Sequence, residues 1–171
     1  MTFSVRPTTR HDIAALPAIE HAAGQRFTQI PELAWLAAGP VISVDQHQQA
    51  ASAGMSWVVL AGDCPVGFLL AEAQDDSLFI TEISLHLAWQ GQGLGRRLID
   101  FVATVAKERG FTSLTLTTFR DVPWNAPWYA QMGFEILPEA ALTAALRQKR
   151  QEESAHGLAY ESRCAMRLML D

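Results

Sequence analysis

Residues 89–98 read WQGQGLGRRL, with glycines at 91, 93 and 95, glutamines at 90 and 92, and arginines at 96 and 97. Before this stretch, Leu78 to Leu87 (LFITEISLHL) is rich in apolar and β-branched residues and reads as a strand. After it, LGRRLIDFVATVAKERG places Leu94, Leu98, Phe101, Val102 and Val105 on one helical face, and Gly110 is the stop. FTSLTLTTF (111–119) is again a strand. A strand, helix, strand return within one sheet makes the two strands parallel neighbours.

Upstream, MSWVVLAGDCPVGFLLAEAQDDSLFITEISLHL contains three strand-like runs separated by GDCP and QDDS, both turn compositions, which predicts an antiparallel meander. The sheet is therefore mixed, with six to seven strands. TFSVRPTT near the start reads as a first strand. HDIAALPAIEHAAGQRF spaces Ile13, Leu16, Ile19 and Ala23 as a helix that Pro17 either kinks or delays. PELAWLAAG suits a second helix, and the polar VISVDQHQQAASAG fits a helix or a loop. Downstream, Asn125 suits the N-cap of a two-turn helix ending at Gly133, and a strand starts at Phe134. PEAALTAALRQKRQEESAHG reads as a longer helix, and Cys164, Met166, Leu168 and Leu170 alternate in a last strand. One α/β domain over 1–171 with flanking helices is the expectation.

A loop that leaves a strand and opens a helix presents unpaired N–H groups at the positive end of the helix dipole, where an anion such as phosphate is stabilised. Glycines at 91, 93 and 95 let oxygens approach the backbone, and Arg96 and Arg97 add charge. A turn with a helix cap explains the glycines equally well. Spacing excludes two familiar phosphate loops. A dinucleotide fingerprint from Gly91 needs glycine at 96, and a Walker A loop needs Gly-Lys at 96 and 97, where the chain has Arg-Arg.

Gln-x-x-Gly-x-Gly does fit, at Gln90, Gly93 and Gly95, and a Tyr-x-x-x-Gly-Phe segment follows two elements later at Tyr129, Gly133 and Phe134. With the element order across nearly the whole chain, these motifs resemble the GNAT acetyltransferase superfamily. The resemblance implies the GNAT fold, with a strand, bulge, glycine loop and helix forming the cofactor site. It also implies an acetyl-CoA-dependent N-acetyltransferase acting on a primary amine of a small molecule. A protein or peptide N-acetyltransferase and a non-catalytic acyl-CoA-binding module are the alternatives.

By the same resemblance, the backbone of Leu85, His86 and Leu87 forms the bulge that pairs with pantetheine amides. Gln90, Gly91, Gln92, Gly93, Leu94, Gly95 and Arg96 cradle the pyrophosphate. Tyr129 matches the proton donor to the departing thiolate, or an aromatic that packs against the cofactor. Glu82 is the candidate general base, or a carboxylate at a sheet surface, and His86 is second to it. Asn125 suits cofactor contact and helix capping alike.

Composition narrows the partners. A formal charge of −5 argues against nucleic acid and is compatible with a cationic acceptor. No run approaches the roughly 18 apolar residues of a membrane span, so no membrane partner is expected. MTFSVRPTTR lacks the features of a secretory signal, which makes a cytoplasmic location the expectation. The histidines and the two cysteines, Cys64 and Cys164, show no metal-ligand spacing, so no metal is expected. Neither cysteine has an identified base, which leaves direct transfer without an acetyl-enzyme. A homodimer through the last strand or the late helix is compatible with the family pattern.

Overall fold

A computed structural model describes residues 2–171. Seven strands form a mixed sheet in the order β1-β2-β3-β4-β5-β7-β6: β1 (Phe3–Pro7), β2 (Ser56–Ala61), β3 (Cys64–Gln74), β4 (Ser77–Leu85), β5 (Ser113–Phe119), β6 (Glu135–Ile136) and β7 (Arg163–Met169). The parallel contact expected on either side of the glycine loop is present between β4 and β5, from Ser77↔Ser113 to Phe79↔Thr115. Five α-helices accompany the sheet: α1 (Leu16–Gly24), α2 (Val44–Ser52), α3 (Leu94–Glu108), α4 (Ala126–Gln131) and α5 (Ala144–Ala155). Two compact units can be separated, one comprising the chain up to Glu72 with Thr81–Thr104, the other Ala73–Ile80 with Val105–Asp171.

In the first unit, β1 pairs antiparallel with β2 (Val5↔Val59), and β2 with β3 (Val58↔Phe68). Period-two alternation puts Val58, Leu60, Phe68 and Leu70 on one face, where they pack with Leu16 and Ile19 of α1. Pro17 lies in the first turn of α1, where its missing N–H costs nothing, so the helix starts late rather than kinking. PELAWLAAG is a 3₁₀ helix, Pro31–Ala38, rather than an α-helix. The weakly patterned segment after it is α2. Ser43 and Gln46 form a capping box, Ser43 Oγ accepting from Gln46 N–H at 3.1 Å and Gln46 Oε1 from Ser43 N–H at 3.0 Å.

Between Val59↔Gly67 and Leu60↔Pro65 the β2–β3 register shifts by one, so Val66 is an extra residue on β3. Gly67 beside it admits no side chain. A Cβ there would stand 2.3 Å from Leu85 Cδ2, 2.9 Å from Ser84 O and 2.9 Å from Val59 Cγ1.

In the second unit, β5 and β7 pair antiparallel over seven positions, from Ser113↔Met169 to Phe119↔Arg163, and the two-residue β6 adds to β7. Phe79, Leu137, Leu142, Leu146 and Ala165 form its core cluster. The late helix begins at Ala144 rather than Pro138, because Thr143 Oγ1 caps it by accepting from Leu146 N–H at 3.2 Å. The expected stops hold. Gly110 has φ +88°, with Gly110 N–H donating to Lys107 O and Phe111 N–H to Ala106 O, the two bonds of a Schellman cap on α3.

Candidate active site

The strand before the glycine loop ends at Leu85, and Leu87–Trp89 is one turn of 3₁₀ helix. His86 N–H donates at 2.9 Å to the carbonyl of Val66, the extra residue of β3. His86 O accepts from Trp89 N–H at 2.8 Å, and Leu85 O accepts from Gln90 Nε2 at 2.9 Å. His86 Nδ1 accepts from Ala88 N–H at 3.1 Å.

The loop proper is Gln90–Gly93. Gly91 (φ +83°) and Gly93 (φ +79°) occupy the left-handed region, and nothing lies within 4 Å of where either Cβ would be. That conformation is disfavoured for side-chain-bearing residues, which is why glycine stands at both places. The first i to i−4 bond of α3 runs from Arg97 N–H to Gly93 O at 3.2 Å. The N–H groups of Leu94, Gly95 and Arg96 precede it and have no acceptor in the helical ladder.

Leu94 is 1% exposed, so its side chain belongs to the core and only its N–H can serve a ligand. Gly95 is buried, Gln92 and Arg96 are exposed, and Arg97 donates to Phe3 O at 3.1 Å. Gln90 is engaged at both ends of its amide: Nε2 to Leu85 O, and Oε1 accepting from Arg26 Nη1 at 3.3 Å. The partner Arg26 lies 64 positions away and could not be found from the motif.

Glu82 and Ser84 share a face of β4, as alternation predicts. Ser84 Oγ donates to Glu82 Oε1 at 3.2 Å, and Glu82 is half-buried.

The Tyr129 segment belongs to the second unit. Tyr129 is buried, with ring centroids 5.0 Å from Trp128 and 5.6 Å from Phe134, both edge-on. Phe134 N–H donates to Tyr129 O at 3.2 Å and Gly133 N–H to Ala130 O at 3.1 Å, with Gly133 at φ +101°. These are the two bonds of a Schellman cap with its apolar contact, so Tyr-x-x-x-Gly-Phe is physically a helix stop. Asn125 stands at the N-cap position of α4, but its side chain does not cap. Nδ2 donates to Trp124 O at 3.2 Å, and Oδ1 is buried without a protein partner. A buried acceptor of that kind lacks the bond that would offset its desolvation.

With this geometry in view, the model of the acetyltransferase (GNAT) family matches residues 24–134. The chain belongs to the GNAT acetyltransferase family. Solved structures agree with this acetyltransferase in fold. The PaiA N-acetyltransferase of Thermoplasma acidophilum, solved with coenzyme A, superposes with a TM-score of 0.73 at 12% identity over 99% of each chain. N-acetylglutamate synthase of Neisseria gonorrhoeae, solved with coenzyme A and N-acetylglutamate, gives 0.73 at 15% identity over 100% of this chain and 36% of that one. The ribosomal-protein-S18-alanine N-acetyltransferase of Escherichia coli gives 0.68 at 17% identity over 99% and 95%. At these identities the likeness establishes the fold of this GNAT domain. Among its described residues, no helix is long and apolar enough to cross a membrane, and no group of three His, Cys, Asp or Glu side chains is placed to hold a metal ion.

Proposed function

We propose that this GNAT acetyltransferase moves the acetyl group of acetyl-CoA directly to the primary amine of a small molecule. The observation that carries the donor half is the start of α3. Two left-handed glycines with open Cβ positions precede a 15-residue helix whose first N–H groups have no ladder acceptor. An anion such as pyrophosphate is stabilised at such a helix start, because backbone donors and the helix dipole act on it together. Acetyl-CoA, when bound there, supplies an activated acyl carbon and a thiolate leaving group.

The N–H groups of Leu94, Gly95 and Arg96, together with the Arg96 guanidinium, hold the pyrophosphate in this reading. Gly91, Gln92 and Gly93 shape the loop, and Gln90 anchors it. Backbone of Leu85 and Leu87 pairs with the pantetheine arm, whereas His86 N–H is already given to Val66 O. Glu82 removes a proton from the acceptor ammonium, and the resulting lone pair attacks the acyl carbon. As the carbon–sulfur bond breaks, the phenol of Tyr129 gives its proton to sulfur, and the second proton of the attacking nitrogen passes back to the phenolate as the amide forms. The buried Oδ1 of Asn125 is assigned to a donor on the cofactor. Burial pushes the Cys164 thiol up, away from the thiolate that a covalent route requires. The net charge of −5 supports a cationic small amine as acceptor.

The test is release of free thiol from acetyl-CoA with a panel of small amines and peptides. Tyr129→Phe and Glu82→Gln are each expected to lower kcat about 100-fold or more, the usual size of a lost general acid or base. Unchanged turnover in both variants would overturn those roles. Preference for peptide N-termini or lysines over every small amine would overturn the acceptor class.

A further inference from the structure

We infer that Arg26 is a positioning residue for the donor loop, acting through Gln90; this rests on the acetyl-CoA reading above. Gly91 and Gly93 lie in open space, and their backbone freedom would let Gln90–Gly93 move away from the start of α3. The restraint is applied at Gln90. Its Nε2 faces the Leu85 carbonyl at 2.9 Å, and a carbonyl can only accept, so the amide orientation is settled. That leaves Oε1 toward Arg26, whose Nη1 donates to it at 3.3 Å.

The guanidinium itself sits on a held segment. Arg26 is half-buried in the 3₁₀ stretch Gln25–Gln29, and neighbouring Gln25 is tied by Nε2 to Ala37 O at 2.9 Å. A residue early in the chain thereby fixes the rotamer of Gln90, ties the end of β4 to the loop, and places a positive charge beside an anion cradle. Only one of its nitrogens makes this bond to Gln90, so a lysine ammonium of similar reach can replace it there.

The experiment compares binding of coenzyme A by calorimetry in wild type, Arg26→Met, Arg26→Lys, Gln90→Met and the double variant Arg26→Met/Gln90→Met, with thermal unfolding as a check on folding. Arg26→Met is expected to raise Kd about threefold to tenfold, the effect of one lost charge-assisted contact. Arg26→Lys should stay within about twofold of wild type, and Arg26→Met should add little once Gln90 is gone, because residues acting through one another are not additive. In steady state the change should fall on the KM for acetyl-CoA rather than on turnover at saturation. If Arg26→Met does not fold, Arg26→Gln, which is too short to reach Gln90, takes its place with the same expected loss. An unchanged Kd, or full additivity with Gln90→Met, overturns the role of Arg26 while the donor assignment stands. Failure of the wild-type chain to bind coenzyme A overturns both.

Discussion

Gly67 shows how much a single position in this chain can decide. Its missing side chain lets Ser84 O and Val59 close on it, next to the extra residue Val66 that receives His86 N–H. Leu85 Cδ2 can swing aside, but a backbone oxygen 2.9 Å from a new Cβ cannot. Gly67→Ala is therefore expected to destabilise the protein by about 1–3 kcal/mol, the usual cost of overpacking. Urea unfolding checks it, with a lowered midpoint at unchanged m expected and a midpoint equal to wild type counting against the argument. Gly91 and Gly93 are legible in the sequence because their role is local: φ is a property of one residue. Gly67 is not, because its role depends on two strands approaching it. Tyr129, Gly133 and Phe134 are visible in sequence for a related reason. Their spacing is that of a helix stop, which gives the segment a structural role whether or not the phenol transfers a proton.

Among the elements, α2 is the one whose pattern says least and whose structure says most. Ser43 and Gln46 start it, and its His47 is fully buried, edge-on to Phe68 at 4.9 Å. Neither ring nitrogen has a protein partner, and burial holds the imidazole pKa below its ordinary 6.5. The folded protein thus disfavours the charged ring, while the unfolded chain takes up a proton once pH falls below about 6.5. Stability is full above that pH and declines as pH drops toward the lower folded value, by at most about 1.4 kcal/mol per pH unit. Glu20 of α1 titrates in the other sense: desolvation raises its carboxyl, although Ile42 N–H donates to Oε1 at 2.9 Å. A comparison with His47→Leu removes that background. The variant is expected to lose the acid-side decline and to match or exceed wild-type stability at pH 7, since an apolar side chain leaves no unpaired polar atom. Thermal unfolding from pH 5 to pH 8 measures both, and parallel curves for the two proteins would refute the imidazole's part.

For the molecule as a whole, a ligand that binds only the folded chain stabilises it by mass action. Coenzyme A at about 100 times its Kd should add about 2.7 kcal/mol. For a chain of this length, that raises Tm by about 5–10 °C. Differential scanning calorimetry with and without the ligand tests this, and adenine as a control separates pyrophosphate binding from non-specific effects. No shift at any concentration would remove the donor assignment at its root. The mixed sheet, the parallel pair around α3 and the cap at Gly110 were legible in the sequence, because alternation, helical spacing and glycine stops are repeated over many residues. The 3₁₀ form of Pro31–Ala38 and the late start of α5 were not, since local capping and packing outweigh composition there.

What the sequence determined by itself is local: a strand, a glycine loop and an amphipathic helix, all consecutive, each specified by short-range backbone preferences. What only the tertiary structure decided is how that loop is held and which of its neighbours are free to act. Arg26 meets Gln90 across 64 positions, Val66 takes His86 N–H from the next strand, and His86 Nδ1 is occupied by Ala88. The physical reason is one of range. A backbone conformation is chosen residue by residue, whereas a hydrogen-bond partner brought from a distant segment exists only after the chain has folded around it.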